Sequence, residues 1–240
     1  MKNYLVSYLN KRMEEAEANE KSPYIKVPGP VITISREVGC GGLQISHLLA
    51  AEMNKHVFEK KWQVVSKEVL VESAQELKVA PEKVERLLKF NANLTFDEIL
   101  SAFTDKYYKS NRVILKTVRD VIHNFAVDGC CIILGRAGHV ISGDIQNALH
   151  IRLIAPVEWR VKRISSSRKI SEAEALQYIK ETDLERENLH KYFLKDKNAV
   201  ETYDVVIDVS RFATEMVVQL IAHAFDCKGI AENMKKFPYF

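Results

Sequence analysis

Ser35-Arg36-Glu37-Val38-Gly39-Cys40-Gly41-Gly42 follows directly on the apolar run Val31-Ile32-Thr33-Ile34 and leads into Leu43 to Met53, whose apolar spacing reads as an amphipathic helix. A buried strand, a glycine-dense turn and a helix start together hold anions. Glycines let backbone N–H groups close around oxygen atoms, and the helix N-terminus adds partial positive charge. The chemistry this predicts is phosphate binding, with Ser35, Arg36, Gly39, Cys40, Gly41, Gly42, Leu43 and Gln44 in reach of the anion.

The nearest general pattern is G-x-x-x-x-G-K followed by Ser or Thr, whose lysine reaches the phosphates and whose hydroxyl binds magnesium. On that frame Arg36 falls at the first glycine, Gly42 at the lysine and Gln44 at the hydroxyl. Losing the lysine removes a charge-assisted contact of ~1.5–3 kcal/mol. Arg36, at the lip of the loop, reads as the substitute cation. Two other readings stand beside this one. The glycines also suit a tight turn that merely lets strand and helix pack, and Gly39-Cys40-Gly41 with Glu59 partly fits a dinucleotide fingerprint whose third glycine is here Gln44.

Arginines supply what a phosphate needs. Arg136 ends the apolar run Cys131 to Leu134, at the strand edge where open α/β sheets bind ligands. Arg160 and Arg163 follow Pro156 and share a helix face, and Arg168, Lys169, Asp183 and Arg186 lie further along. Phosphoryl transfer asks mainly for positioning and charge neutralisation, which arginines provide. The seven histidines have no metal-ligand spacing and read as structural. Cys40 lies near a helix N-terminus, where a thiol pKa can fall, but a nucleophilic role is not expected.

The elements that must position these residues follow from short apolar runs. Besides the first strand, Cys131 to Leu134, Leu149 to Ile154 and Asp204 to Val209 read as buried parallel strands, and His56 to Phe58 as a weaker one. Helical patterns fill Ser66 to Asp128, including Glu82 to Phe90 after Pro81 and a stripe from Ile114 to Phe125, and return from Glu172 to Leu194. Residues 1–22 form a candidate helix, and Ser22 to Pro30 an extended proline-rich connector, so the main domain starts near Val31. With 240 residues, 47% hydrophobic and 28% charged, one large α/β domain is expected. A net charge of +3 argues against nucleic acid or membrane as a bulk partner. Four cysteines without zinc spacing, no apolar run near ~18 residues and no signal-peptide core point to a reduced, cytoplasmic protein.

Ile34 to Gly42, Ile133-Leu134-Gly135-Arg136, Arg160-Val161-Lys162-Arg163, Asp183-Leu184-Glu185-Arg186 and Tyr203 to Ile207 together resemble the cytidylate-kinase-like family, a branch of the P-loop nucleoside monophosphate kinases. The resemblance runs from about Pro30 to Phe225, and S-R-E-x-G-x-G-G, which replaces the usual loop in that branch, is its specific part. It implies a three-layer P-loop kinase fold over residues 31–240: a five-stranded parallel sheet, a helical acceptor-binding insertion at 65–128 and a mobile lid at 157–195. It also implies ATP phosphates over Gly39 to Gly42, Mg²⁺ as cofactor, and a lid that carries Arg160, Arg163, Asp183 and Arg186. Arg160, Arg163 and Arg186 are expected to converge only when both substrates are bound and the segment from Arg160 to Lys191 closes. Relatives carry an Asp after the arginine matching Arg136, where Ala137 stands, a second lid arginine near Thr182, an Asp near Glu185, and another within the stretch matching Glu59 to Val65. The expected function is ATP-dependent phosphoryl transfer to a nucleoside monophosphate, CMP-like, or a similar small acceptor. The alternative is a non-catalytic nucleotide-binding regulator, with homo-oligomer formation through the N-terminal helix as a further expectation.

Overall fold

Five short strands form one parallel sheet in the computed structural model, which describes residues 28–55, 60–66, 112–194 and 202–235, with backbone alone at 112–117 and 234–235. In chain order the elements are β1 (Val31–Arg36), α1 (Gly42–Met53), β2 (Gln63–Val65), α2 (Arg112–Asp128), β3 (Cys131–Leu134), α3 (Gly138–Ile141), β4 (Ala148–Ile154), α4 (Val157–Arg168), α5 (Glu172–Phe193), β5 (Val205–Asp208), α6 (Thr214–Cys227) and α7 (Ile230–Lys235). The sheet order is β2-β3-β1-β4-β5. Val31 pairs with Cys131 on one side and Ala148 on the other, so β1 is central. The connection after β1 runs toward the β2 edge and the one after the neighbouring β4 toward the β5 edge, which puts a crevice outside the carboxyl ends of these two strands.

Side-chain alternation gives the sheet two different faces. Ile32, Ile34, Ile132, Leu134, Leu149 and Ile151 pack with Leu49 and Met53 of α1 and Ile221 and Phe225 of α6 in one apolar core. The other face carries Thr33, Ser35 and His150. Thr33 Oγ1 lies 2.8 Å from His150 Nδ1, and Ser35 Oγ 3.1 Å from His139 Nδ1. Buried polar groups are tolerated because they are paired in this way. α3 lies on this face: a Cβ added at Gly138 would come within 2.8 Å of Ile133 and 3.6 Å of Thr33.

The parallel α/β core expected from the apolar runs, and the three-layer form implied by the resemblance, are the fold found. β1 extends two residues past the apolar run because Ser35 and Arg36 pair with Arg152 and Leu153. The strand nearest β3 in the sheet is Gln63–Val65, a short edge strand bonded on one side only. The weaker strand expected at His56 to Phe58 lies outside the described residues, as do Glu59, the N-terminal helix and most of the helical stretch after Ser66. α5 begins at a capping box, with the Glu174 N–H donating to Ser171 Oγ (3.2 Å) and the Ser171 N–H to Glu174 Oε2 (2.8 Å).

Candidate functional site

The loop between β1 and α1 owes its shape to two glycines. Gly39 has φ 92° and Gly41 φ 70°, both in the left-handed region that other residues rarely adopt. Gly41 is the residue before the first turn of α1, which has neither a side-chain cap nor an acidic residue. The first N–H groups of that helix therefore face the loop as an anion cradle. Leu43 and Gln44 are exposed on the same turn, while Gly42 is buried.

Two arginines meet the loop in different ways. A Cβ added at Gly41 would come within 2.9 Å of Arg163 Nη2, so the Arg163 guanidinium stands over the cradle, with its carbon 5.1 Å from the Trp159 ring. Arg36 runs across the strand ends instead. A Cβ at Gly42 would press on its Cγ at 3.1 Å, and one at Gly135 would collide with its guanidinium. At Gly42, the position of the absent lysine, the cation alongside is Arg36, whereas Arg163 stands over the preceding glycine, Gly41.

Arg160 is buried and tied to the loop's base. Its Nη1 lies 2.6 Å from Asp183 Oδ2 and donates to the Val38 carbonyl at 3.4 Å, and its Nε donates to the Ala155 carbonyl (3.1 Å). Glu37 Oε2 lies 3.4 Å from the same Nε and accepts the Ala155 N–H at 3.1 Å. Asp183 Oδ1 also accepts the Val38 N–H (2.8 Å), and Arg186 Nη1 donates to the Arg36 carbonyl (2.9 Å). These contacts bring Arg36, Arg160, Arg163, Asp183 and Arg186 around one loop. In this structure α4 and α5 lie against the loop, held by the Arg160 network.

Arg136 is buried at φ 55°, between Gly135 at 76° and Ala137 at 53°. Two successive non-glycine residues in the left-handed region store on the order of 1–3 kcal/mol each, the kind of strain found where backbone is shaped for a ligand. The Gly138 N–H closes this turn onto the Gly135 carbonyl at 2.9 Å. Cys40 departs from the expectation drawn from its helix end. Its side chain belongs to the apolar core, and burial, reinforced by Glu37, pushes the thiol up to about 12. Only its backbone borders the loop.

Sequence reasoning assigned no role to Glu37, Trp159 or His139. Glu37 was visible within the loop string; Trp159 and His139 gain meaning only from what they touch. Among the described residues no three His, Cys, Asp or Glu side chains are grouped as a metal site requires, and no helix is long and apolar enough to cross a membrane.

A central β1, a glycine loop at its carboxyl end and helices on both faces define a P-loop kinase-like α/β protein. The profile of the cytidylate kinase-like family matches residues 31–211, and the chain belongs to that family. An uncharacterized protein from Eubacterium ventriosum has a similar fold, with TM-score 0.54 and 23% identity over 83% of this chain and 99% of that one. A gluconokinase from Sinorhizobium meliloti aligns at TM-score 0.45 and 12% identity, covering 90% of this chain and 100% of its own. In sequence, a uronate isomerase from Corynebacterium glutamicum is 29% identical over 117 residues, 48% of this chain; the chain spans 22% of that relative's length.

Proposed function

We propose that the protein transfers a phosphoryl group from ATP to a nucleoside monophosphate, CMP-like, or a similar small acceptor. The observation that carries the reading is the Arg163 guanidinium over Gly41 at the uncapped start of α1. A cation aimed at a backbone anion cradle is the arrangement that stabilises charge on a transferring phosphoryl group. The cradle fits a polyphosphate, since neither positive-φ glycine adds a side chain of its own and the group standing over Gly41 is a cation. When bound, ATP supplies the phosphoryl donor. Gly39 to Gly42 would hold its phosphates, Arg163 would neutralise them, and the Arg160 network would keep the loop in register.

The described residues do not offer Mg²⁺ a comparable site. Gln44 stands at the hydroxyl position, Ser46 Oγ donates to the Gly42 carbonyl (2.7 Å), and Glu37 and Asp183 face Arg160. A divalent ion is expected to arrive on the nucleotide's phosphates, its usual mode in such sites.

The test is ADP release from ATP with CMP and a panel of other small acceptors. The wild type is expected to turn over one of them, and Gly41→Val to lose turnover together with ATP binding. A second reading, nucleotide binding without catalysis, is favoured by the fully buried Ala137, which leaves no carboxylate after Arg136. ATP binding with no turnover of any acceptor would select it.

A further inference from the structure

Trp159 and Arg163 stand four residues apart on α4, the spacing that puts two side chains on one helix face. The Arg163 guanidinium carbon lies 5.1 Å from the centre of the Trp159 ring, within the range of a cation–π contact. Trp159 is half-buried and packs against the apolar core between the sheet and helices α1 and α6, which makes its ring a fixed platform. The same helix touches the loop one turn earlier. A Cβ added at Gly39 would come within 3.4 Å of the Arg160 Cα. α4 therefore runs along the loop, with Arg160 against Gly39 and Arg163 over Gly41.

This pair differs from the other arginine–aromatic pairs of the chain. Arg168 lies 4.0 Å over the Tyr178 ring and also donates to its phenol oxygen at 2.8 Å. Arg152 lies over Tyr203 with Nη1 3.4 Å from that phenol oxygen. Tyrosine thus engages a guanidinium donor, whereas an indole has only a donor of its own and offers a cation nothing but its face. Arg160 and Arg186 also commit donors, to Asp183 and to the Val38, Ala155 and Arg36 carbonyls. Among the described residues Arg163 has neither a carboxylate nor a hydrogen-bond acceptor, and the Trp159 ring is what holds it. Its Nη2 would lie 2.9 Å from a Gly41 Cβ and its guanidinium carbon 3.5 Å, so an edge bearing N–H groups faces the cradle.

We propose that Trp159 is the positioning residue for Arg163, holding the guanidinium over Gly41 while leaving its charge and its donors to the phosphates of a nucleotide. The inference rests on the reading of the cradle as a nucleotide-phosphate site. An arginine loose in solvent loses rotamer freedom when it meets an anion; one stacked beforehand has already lost it, and binding is tighter by that difference. A carboxylate would fix the side chain as well, but it would compete with the incoming phosphate for the same N–H groups. The ring orders the cation without competing.

The test is a double-mutant cycle with ATP as the probe, titrated calorimetrically into the full chain. Trp159→Leu is expected to weaken ATP binding about three- to tenfold, the value of one cation–π contact, and Trp159→Phe, which keeps a ring face, by less. In an Arg163→Ala background Trp159→Leu should have no further effect, because the ring then has nothing to place. Equal losses in both backgrounds would make Trp159 a support of the fold alone and overturn the proposal, as would unchanged affinity in Trp159→Leu. Fluorescence decides the matter if Trp159→Leu fails to fold. The chain has two tryptophans, and Trp62 is buried in the core, edge-on to Phe225 at 5.4 Å. Saturating ATP should change the emission of the wild type, but not that of Trp159→Phe or Arg163→Ala. A change of equal size in Arg163→Ala, or none in the wild type, overturns the proposal. ATP binding with a coupled cycle but no turnover of any acceptor removes the phosphotransferase reading alone, and ATP binding with an additive cycle removes the positioning role alone. No ATP binding to the wild type overturns both.

Discussion

Arg163 and Arg36 differ in what their guanidinium groups can reach. Arg163 stands over Gly41, while Arg36 extends from Gly42 toward Gly135. A charge-assisted contact to a phosphate is worth ~1.5–3 kcal/mol, so Arg163→Ala should weaken ATP binding by roughly ten- to a hundredfold, and Arg36→Ala by less. Calorimetric titration of both variants checks the order, and the reverse order would make Arg36 the stand-in for the lysine. The cysteines give a second residue-level test. All four are free; Cys40, Cys130 and Cys131 are buried and Cys227 is exposed. Burial pushes Cys40 up to about 12 and Cys130 to about 11, so neither is a thiolate near neutral pH. Native protein treated with iodoacetamide should gain a single adduct, at Cys227. Modification of Cys40 at a comparable rate would mean that the loop opens far more readily than its packing implies.

The Arg160 network sets how firmly α4 and α5 hold the loop. Its side chain is 10% exposed against Glu37 and Asp183, so Arg160→Ala leaves two half-buried carboxylates facing each other's field. Removing one partner of a buried pair costs about 3–5 kcal/mol, whereas Asp183→Asn keeps an acceptor for the Val38 N–H and leaves Glu37 with Arg160. Urea unfolding should rank Arg160→Ala as the larger loss, and equal losses would show that the network is not a clamp. The elements carrying this network were legible because local chemistry marks them: Ile/Val-rich runs for β1, β3 and β4, and Ser171 with Glu174 at the start of α5. β2 was harder to read, since a three-residue edge strand beginning with Gln63 has too few apolar positions to form a pattern. The arginines were legible as a set but not in their division of labour. Whether a guanidinium faces a cradle, as Arg163 does, or a carboxylate, as Arg160 does, depends on contacts between the β1–α1 loop and the helices α4 and α5, more than a hundred residues away.

The two unlike faces of the sheet make the stability of the whole molecule depend on pH. The core on the face bearing α1 and α6 is apolar, and its described residues include no acid or histidine. On the other, burial lowers His150 from 6.5 to about 4, with the Asp204 charge opposing the shift and His139 and Lys228 adding to it. Its Nδ1 lies 2.8 Å from Thr33 Oγ1, a contact the neutral ring makes on a paired strand. Asp204 accepts the His150 N–H (2.8 Å) and Lys228 Nζ (2.7 Å); burial alone would push it up, but these bonds hold it below its ordinary value. Between pH 6.5 and about 4 the unfolded chain binds a proton at His150 that the folded chain excludes. Stability therefore rises with pH through this window and is lost as pH falls through it, by up to about 3 kcal/mol. Asp204 acts at lower pH, where its own protonation removes a further contribution. Urea midpoints at pH 7 and pH 4.5 should differ clearly in the wild type and much less in His150→Gln, which has no proton to exclude. If both proteins lose the same stability between those pH values, the acid sensitivity belongs to other groups, and the polar face is not where the fold yields to acid.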